Sequence, residues 1–329
     1  FRRTRGERVP MFRAVKHDLL GLKDAATLRV AGPANAEHLV YLQAGFPCDH
    51  SSLEPLAARL ASECGCLVGV GCMPEYDREV PLRPEGYDME QLLACFAQAV
   101  DALKAQSSRA PSAKLTLVVH DWGCAPGFMY SNTAGCHKLV AFDVLIAKKP
   151  DRLYYALNHL NYQGHFAICF KLSQLSAALG RIYLSVMYFV MVAFRRWLNP
   201  VGPKDAGPAN PFAAVGGYPW QVPLKEMSGS VRPTPFRCYP YYHMMRALVL
   251  GPGASLLSKM SFASSIAKQP ICFIFGKEKN THFHTQAQLD TLRATPGCRV
   301  HGVPHAGHWC YKHAPDVCFE AVRAFILGD

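Results

Sequence analysis

The stretch Leu115–Phe128, LTLVVHDWGCAPGF, decides the fold. Leu115, Leu117, Val118 and Val119 form a short apolar run with Thr116 among them, as in a strand buried on both faces. The run ends in His120-Asp121-Trp122-Gly123, and residues from about Ala125 to Thr133 read as a helix. An aspartate at a strand-to-helix turn has three readings. It can cap the helix, ligate a metal, or act as a nucleophile.

The same alternation extends to either side. Leu39–Ala44 and Cys66–Gly71 are further apolar runs, and Leu53–Glu63 and Asp88–Gln106 have helical spacing, with Asp88 as a cap. Lys138–Ile146 reads as a fourth strand. Strands separated by helices predict an α/β fold, with a mostly parallel central sheet flanked by helices. From Ala147 to about Ser261 the alternation stops. That region is helical, aromatic and apolar, broken by the Gly/Pro-rich Asn199–Pro211. Strand character returns at Pro270–Gly276, then a helix at Thr285–Arg293, a short strand at Cys298–Pro304 and a helix at Pro315–Leu327. The expected organisation is a sheet domain in two parts, residues 1–146 and 262–329, interrupted by a helical lid at 147–261. The opening FRRTRGERVP reads as a basic, poorly ordered arm.

Composition narrows the function classes. The formal net charge is +11, yet the basic residues are scattered and no basic stripe is interleaved with aromatics, so nucleic acid is not an expected partner. The 13 cysteines fall mostly in apolar runs, as free thiols of a reducing, cytoplasmic compartment do. No cysteine pair has zinc-ligand spacing, since Cys64-Gly65-Cys66 is too close. His305, His313 and the pair His282/His284 show no carboxylate companions in the sequence. Neither a metal nor another cofactor is expected. The 13-residue apolar segment Ile182–Phe194 is too short to span a bilayer, which takes about 20 residues. It reads as a buried lid helix, with an apolar substrate wall or a patch for peripheral membrane contact as the alternative. Oligomeric state is not encoded in any pattern of the chain.

In an open parallel sheet, ligands bind beyond the carboxyl ends of the strands. Asp121, Gly45-Phe46-Pro47, Asp143 and Gly276 all fall there. A nucleophilic carboxylate forms an ester, whose hydrolysis takes a histidine to activate water, an acid to orient it, and two N–H donors for the oxyanion. His308, in the loop Pro304–Pro315, supplies the histidine, and the amides of Phe46 and Trp122 supply the donors.

GFP at Gly45–Pro47, HDWG after an apolar strand at His120–Gly123 and GHW at Gly307–Trp309, in that order, resemble the α/β-hydrolase superfamily. The resemblance is to its epoxide hydrolase and haloalkane dehalogenase group, which has an aspartate nucleophile. It spans the core on both sides of the lid. It implies Asp121 as nucleophile, His308 as base, and a third acid from Asp143 or from Glu278, with Lys279 standing where much of the superfamily has aspartate. It also implies lid tyrosines that donate to an epoxide oxygen: Tyr162 in NYQGHF and Tyr242 in YPYYHMMRAL, with Tyr241 a close competitor. The reaction implied is opening of an epoxide on a hydrophobic, lipid-like substrate to a diol, with water as co-substrate. The alternatives are a haloalkane dehalogenase and a catalytically silent scaffold that binds a lipid or a protein. An esterase is weaker, because no serine occupies the elbow. Three positions depart from the group: Val119 where the elbow takes a small residue, Cys124 where glycine is common, and Ala44 where histidine often stands.

Overall fold

The computed structural model describes residues 11–146, 153–198, 234–251, 253–278 and 283–328, with the backbone alone for 153–162, 188–198 and 254. The expected N-terminal arm and the Asn199–Pro211 interruption lie outside the described residues.

Eight strands form one sheet: β1 (Arg13–Leu19), β2 (Leu22–Ala31), β3 (His38–Gln43), β4 (Leu67–Gly71), β5 (Lys114–His120), β6 (Lys138–Phe142), β7 (Ile271–Gly276) and β8 (Arg299–Val303). Their order across the sheet is β1-β2-β4-β3-β5-β6-β7-β8. The ladders from β4 through β8 are all parallel, and β2 pairs antiparallel with both β1 and β4. The β1–β2 hairpin has no counterpart in the sequence expectations. Its two-residue turn is Leu20-Gly21, with φ of 49° and 86°. Positive φ at both positions suits the twist of a hairpin, but that turn is usually announced by Asn-Gly or Asp-Gly.

The helices follow in chain order. α1 (Glu54–Cys64), α2 (Met89–Lys104) and α3 (Cys124–Thr133) connect the strands of the first part. α4 (Leu153–Leu175), α5 (Ala177–Leu198), α6 (Tyr239–Leu250), α7 (Gly253–Lys259) and α8 (Phe262–Ile266) lie between β6 and β7. α9 (Gln286–Ala294), α10 (Cys310–His313) and α11 (Pro315–Leu327) complete the second part. One apolar cluster fills the sheet face under α1 and α11, and a second fills the face under α2 and α3. A third joins the cap to the core, with Phe166 and Phe170 of α4 and Tyr239, Tyr241 and Met244 of α6 packed with Phe46 and Trp122. This last cluster places the inserted helices over the carboxyl ends of β3 and β5.

The segment Ile182–Phe194 is part of α5. In its described portion Leu184 and Met187 are buried, while Ile182 and Val186 are 61% and 54% exposed. The expectation of a buried helix therefore holds for one face only. Among the described residues, no helix is long and apolar enough to cross a membrane.

Candidate active site

Asp121 begins a single 3-10 turn, Asp121–Gly123, that leads from β5 into α3. Its φ is 53°, a left-handed conformation that costs a non-glycine residue about 1–3 kcal/mol and persists only where the surroundings enforce it. Neither the turn nor α3 has a side-chain cap. The carboxylate instead points to the loop after β3, where Oδ1 accepts the Phe46 N–H at 2.7 Å. Gly45 permits this approach, because a β-carbon there would overlap the Trp122 nitrogen and lie 2.5 Å from Asp121 Oδ1.

Val119 is accommodated by a glycine on the opposite side. Its side chain is fully buried, and a β-carbon at Gly127 of α3 would lie 2.7 Å from Val119 Cγ1. The bulk added on the strand is matched by bulk missing on the helix, so the turn closes. Cys124 is buried, with Sγ directed at the Phe142 carbonyl at 3.9 Å.

His308 lies between two carboxylates. Nδ1 is 2.5 Å from Asp143 Oδ2, and Nε2 is 3.2 Å from Asp121 Oδ2. The second approach is oblique, because the ring N–H line misses the oxygen. Asp143 stands just past the end of β6 with φ of 66°, and Oδ1 accepts the Gly276 N–H at 3.4 Å. All three side chains are buried. Burial pushes the His308 imidazole down, but Asp121 and Asp143 together outweigh it and hold its pKa at about 9. Glu278 is not in this constellation. It pairs with exposed His305, Oε1 to Nδ1 at 2.6 Å, which also gives His305 the carboxylate companion that the sequence did not reveal. Lys279 and His282 lie outside the described residues.

A buried polar chain supports the histidine loop. His120 Nε2 donates to the His308 carbonyl at 3.1 Å, and the Tyr311 hydroxyl stands 3.4 Å from His120 Nδ1 and 2.7 Å from Ser52 Oγ. Burial, reinforced by the nearby His308 charge, lowers the His120 pKa to about 3, so this ring is neutral. Trp309 is buried beside it and donates to Cys48 Sγ at 3.3 Å. Sequence reading missed His120 and Tyr311 as supports. They are far apart in sequence, and no motif links His120 of the quoted HDWG to Tyr311.

Of the cap tyrosines, the fold brings Tyr241 to the site. Its ring is buried edge-on to Trp122 and Phe46, at centroid distances of 4.9 and 5.3 Å, and stacks on Phe166 at 4.7 Å. Tyr242, the sequence choice, points elsewhere. Its ring lies 5.5 Å from Phe170, with the Lys171 ammonium 5.0 Å from its centroid. Successive residues on a helix diverge by about 100°, so a one-residue error changes the face entirely. Tyr162 falls on the backbone of α4, and its side chain lies outside the described residues.

With this geometry established, comparison with known proteins places the architecture. No protein-family model matches the sequence, and no curated protein matches it. Solved structures do match over nearly the whole chain. A haloalkane dehalogenase loop variant from Bradyrhizobium elkanii has 15% identity and a TM-score of 0.60, covering 96% of this chain and 97% of its own. An epoxide hydrolase from Vigna radiata has 17% identity and a TM-score of 0.59, covering 98% and 99%. A thermophilic esterase from Thermogutta terrifontis has 14% identity and a TM-score of 0.60, covering 96% and 98%. The chain therefore has the α/β-hydrolase fold with an inserted helical cap. Within that fold it is similar to the epoxide hydrolase and haloalkane dehalogenase structures.

Proposed function

We propose that the chain is a hydrolase that opens an epoxide on a hydrophobic substrate through an ester of Asp121. The observation that carries this reading is the placement of the Asp121 carboxylate. One oxygen is held by the Phe46 N–H at 2.7 Å and the other faces His308 at 3.2 Å. Oδ2 attacks the epoxide carbon, and Oδ1 becomes the ester carbonyl, already seated on the Phe46 donor with the Trp122 amide beside it. Tyr241 is the residue we assign to protonate the opening oxygen, since its ring packs on both oxyanion residues; Tyr162 is a further candidate on α4. Esterification removes the Asp121 charge that helps hold the His308 proton. The imidazole, oriented by Asp143, then gives that proton up to solvent and takes one from the water that attacks the ester carbonyl. Cleavage of the ester returns the Asp121 carboxylate and releases the diol, and Tyr241 regains its proton from solvent.

The apolar cluster of the cap, with Phe46, Trp122, Phe166 and Tyr241, supports a hydrophobic, lipid-like substrate. No cofactor is needed for these steps. A dehalogenase would use the same nucleophile, but Phe46 offers the halide no side-chain donor to complement Trp122. The test is a parallel assay of diol formation from hydrophobic epoxides and of halide release from haloalkanes, with wild type and Asp121→Ala. Diol formation that disappears in the variant supports the reading, and halide release alone favours the dehalogenase. An absence of both activities, with the fold intact, favours a silent scaffold.

A further inference from the structure

We propose that His50, Cys72 and Asp77 form a site for one thiophilic divalent cation of the zinc class, separate from Asp121, His308 and Asp143. Sequence spacing could not reveal it, because the donors come from two different loops. His50 opens the 3-10 turn that follows the Phe46 loop, Cys72 follows β4, and Asp77 lies five residues further on. Their ligating atoms all lie within 4.8 Å of one another.

The chemistry of the donors is consistent. One thiolate, one imidazole and one carboxylate are a set that zinc accepts. His50 Nε2 stands 2.7 Å from the Thr27 carbonyl, which fixes the proton on that nitrogen and leaves the Nδ1 lone pair for a metal. Ligating histidines commonly have such a backbone partner on the other nitrogen. His50 is buried, Cys72 half-buried and Asp77 exposed. Bonds of about 2.0–2.3 Å give a tetrahedron with edges of roughly 3.3–3.8 Å. The donors therefore close slightly onto the ion, and the exposed Asp77 carboxylate has the most freedom to move. Cys72 ligates as the thiolate, so the bound cation takes the place of the thiol proton, which leaves to solvent. A small cavity of about 20 Å³, lined by His17, Thr27, Cys72 and Asp77 among others, gives room for one water as a further ligand. The site would tie the loop carrying Phe46 to the loop after β4.

The test uses the full chain titrated with Zn²⁺ in competition with a chromophoric chelator, and with Co²⁺ as the optical probe. The proposal expects one equivalent of metal, a rise in Tm with Zn²⁺, and a near-ultraviolet thiolate-to-cobalt band. Cys72→Ser should abolish the band, although the other free cysteines remain. Asp77→Asn, an isosteric change at an exposed position, should weaken Zn²⁺ binding by roughly tenfold or more. A wild type without the band overturns the proposal. So does a band that survives Cys72→Ser, or Zn²⁺ affinity unchanged in Asp77→Asn.

Discussion

His308 Nδ1 and Asp143 Oδ2 lie 2.5 Å apart, joined across 165 residues of sequence. The acid partner of the histidine thus comes from the end of β6. Glu278, after β7, is instead committed to His305 at the surface.

Removing the Asp143 charge while keeping the side-chain shape isolates its role. Asp143→Asn is expected to lower kcat by roughly a thousandfold or more, because the ring loses the partner that orients it and stabilises its cationic form. Glu278→Gln should stay within a few-fold of wild type. Steady-state kinetics on one epoxide substrate compares the two, and equal losses would remove Asp143 from the triad.

The same ion pair shapes stability against pH. The folded His308 pKa of about 9 lies above the ordinary value of 6.5, so its contribution is complete below pH 6.5 and is lost as pH rises to about 9. The size is on the order of 3 kcal/mol. His120 acts in the opposite direction. Its folded pKa of about 3 penalises the native state increasingly as pH falls below 6.5. Urea unfolding from pH 4 to about 9 should therefore show a maximum near neutrality. The alkaline slope should flatten in Asp143→Asn, and an unchanged slope would show that His308 is not held by this carboxylate.

Gly127 and Val119 make a compensating pair. Gly127→Ala gains roughly 1 kcal/mol of helix propensity but meets Val119 at sub-contact distance, and overpacking costs roughly 1–3 kcal/mol. We expect a lowered Tm and lowered activity, both restored by adding Val119→Ala. Thermal melts of the single and double variants check this, and additive losses would mean that the two side chains do not share the space.

The cap tyrosines separate by register. Tyr241→Phe is expected to slow ester formation by roughly a hundredfold, the usual scale of a lost proton donor, while Tyr242→Phe changes it little. Single-turnover kinetics reads the step directly. A reversed order would return the role to Tyr242.

Much of this candidate site was legible in the sequence because its motifs are local. Asp121 follows a largely apolar strand, Phe46 sits in a short loop after another, and His308 lies in the short segment between the last strand and the last helix. The remainder depended on distance in space. Choosing between Asp143 and Glu278 required knowing which strand ends beside His308. Choosing Tyr241 over Tyr242 required a helix register within an aromatic run. The Val119 departure is balanced by Gly127, eight residues away on another element. The β1–β2 hairpin escaped because Leu20-Gly21 is a weak turn signal and its strands alternate only loosely. The cation site joins residues from two loops with no shared motif.

The central claim is that Asp121 attacks the substrate and His308 releases the product. Intact-mass analysis of His308→Gln after incubation with an epoxide tests it most directly. The account predicts a stable mass increase equal to one substrate molecule, located on Asp121 by peptide mapping and lost in the Asp121→Ala, His308→Gln double variant. An unmodified Asp121, in a preparation whose wild-type counterpart turns the same epoxide over, would contradict it.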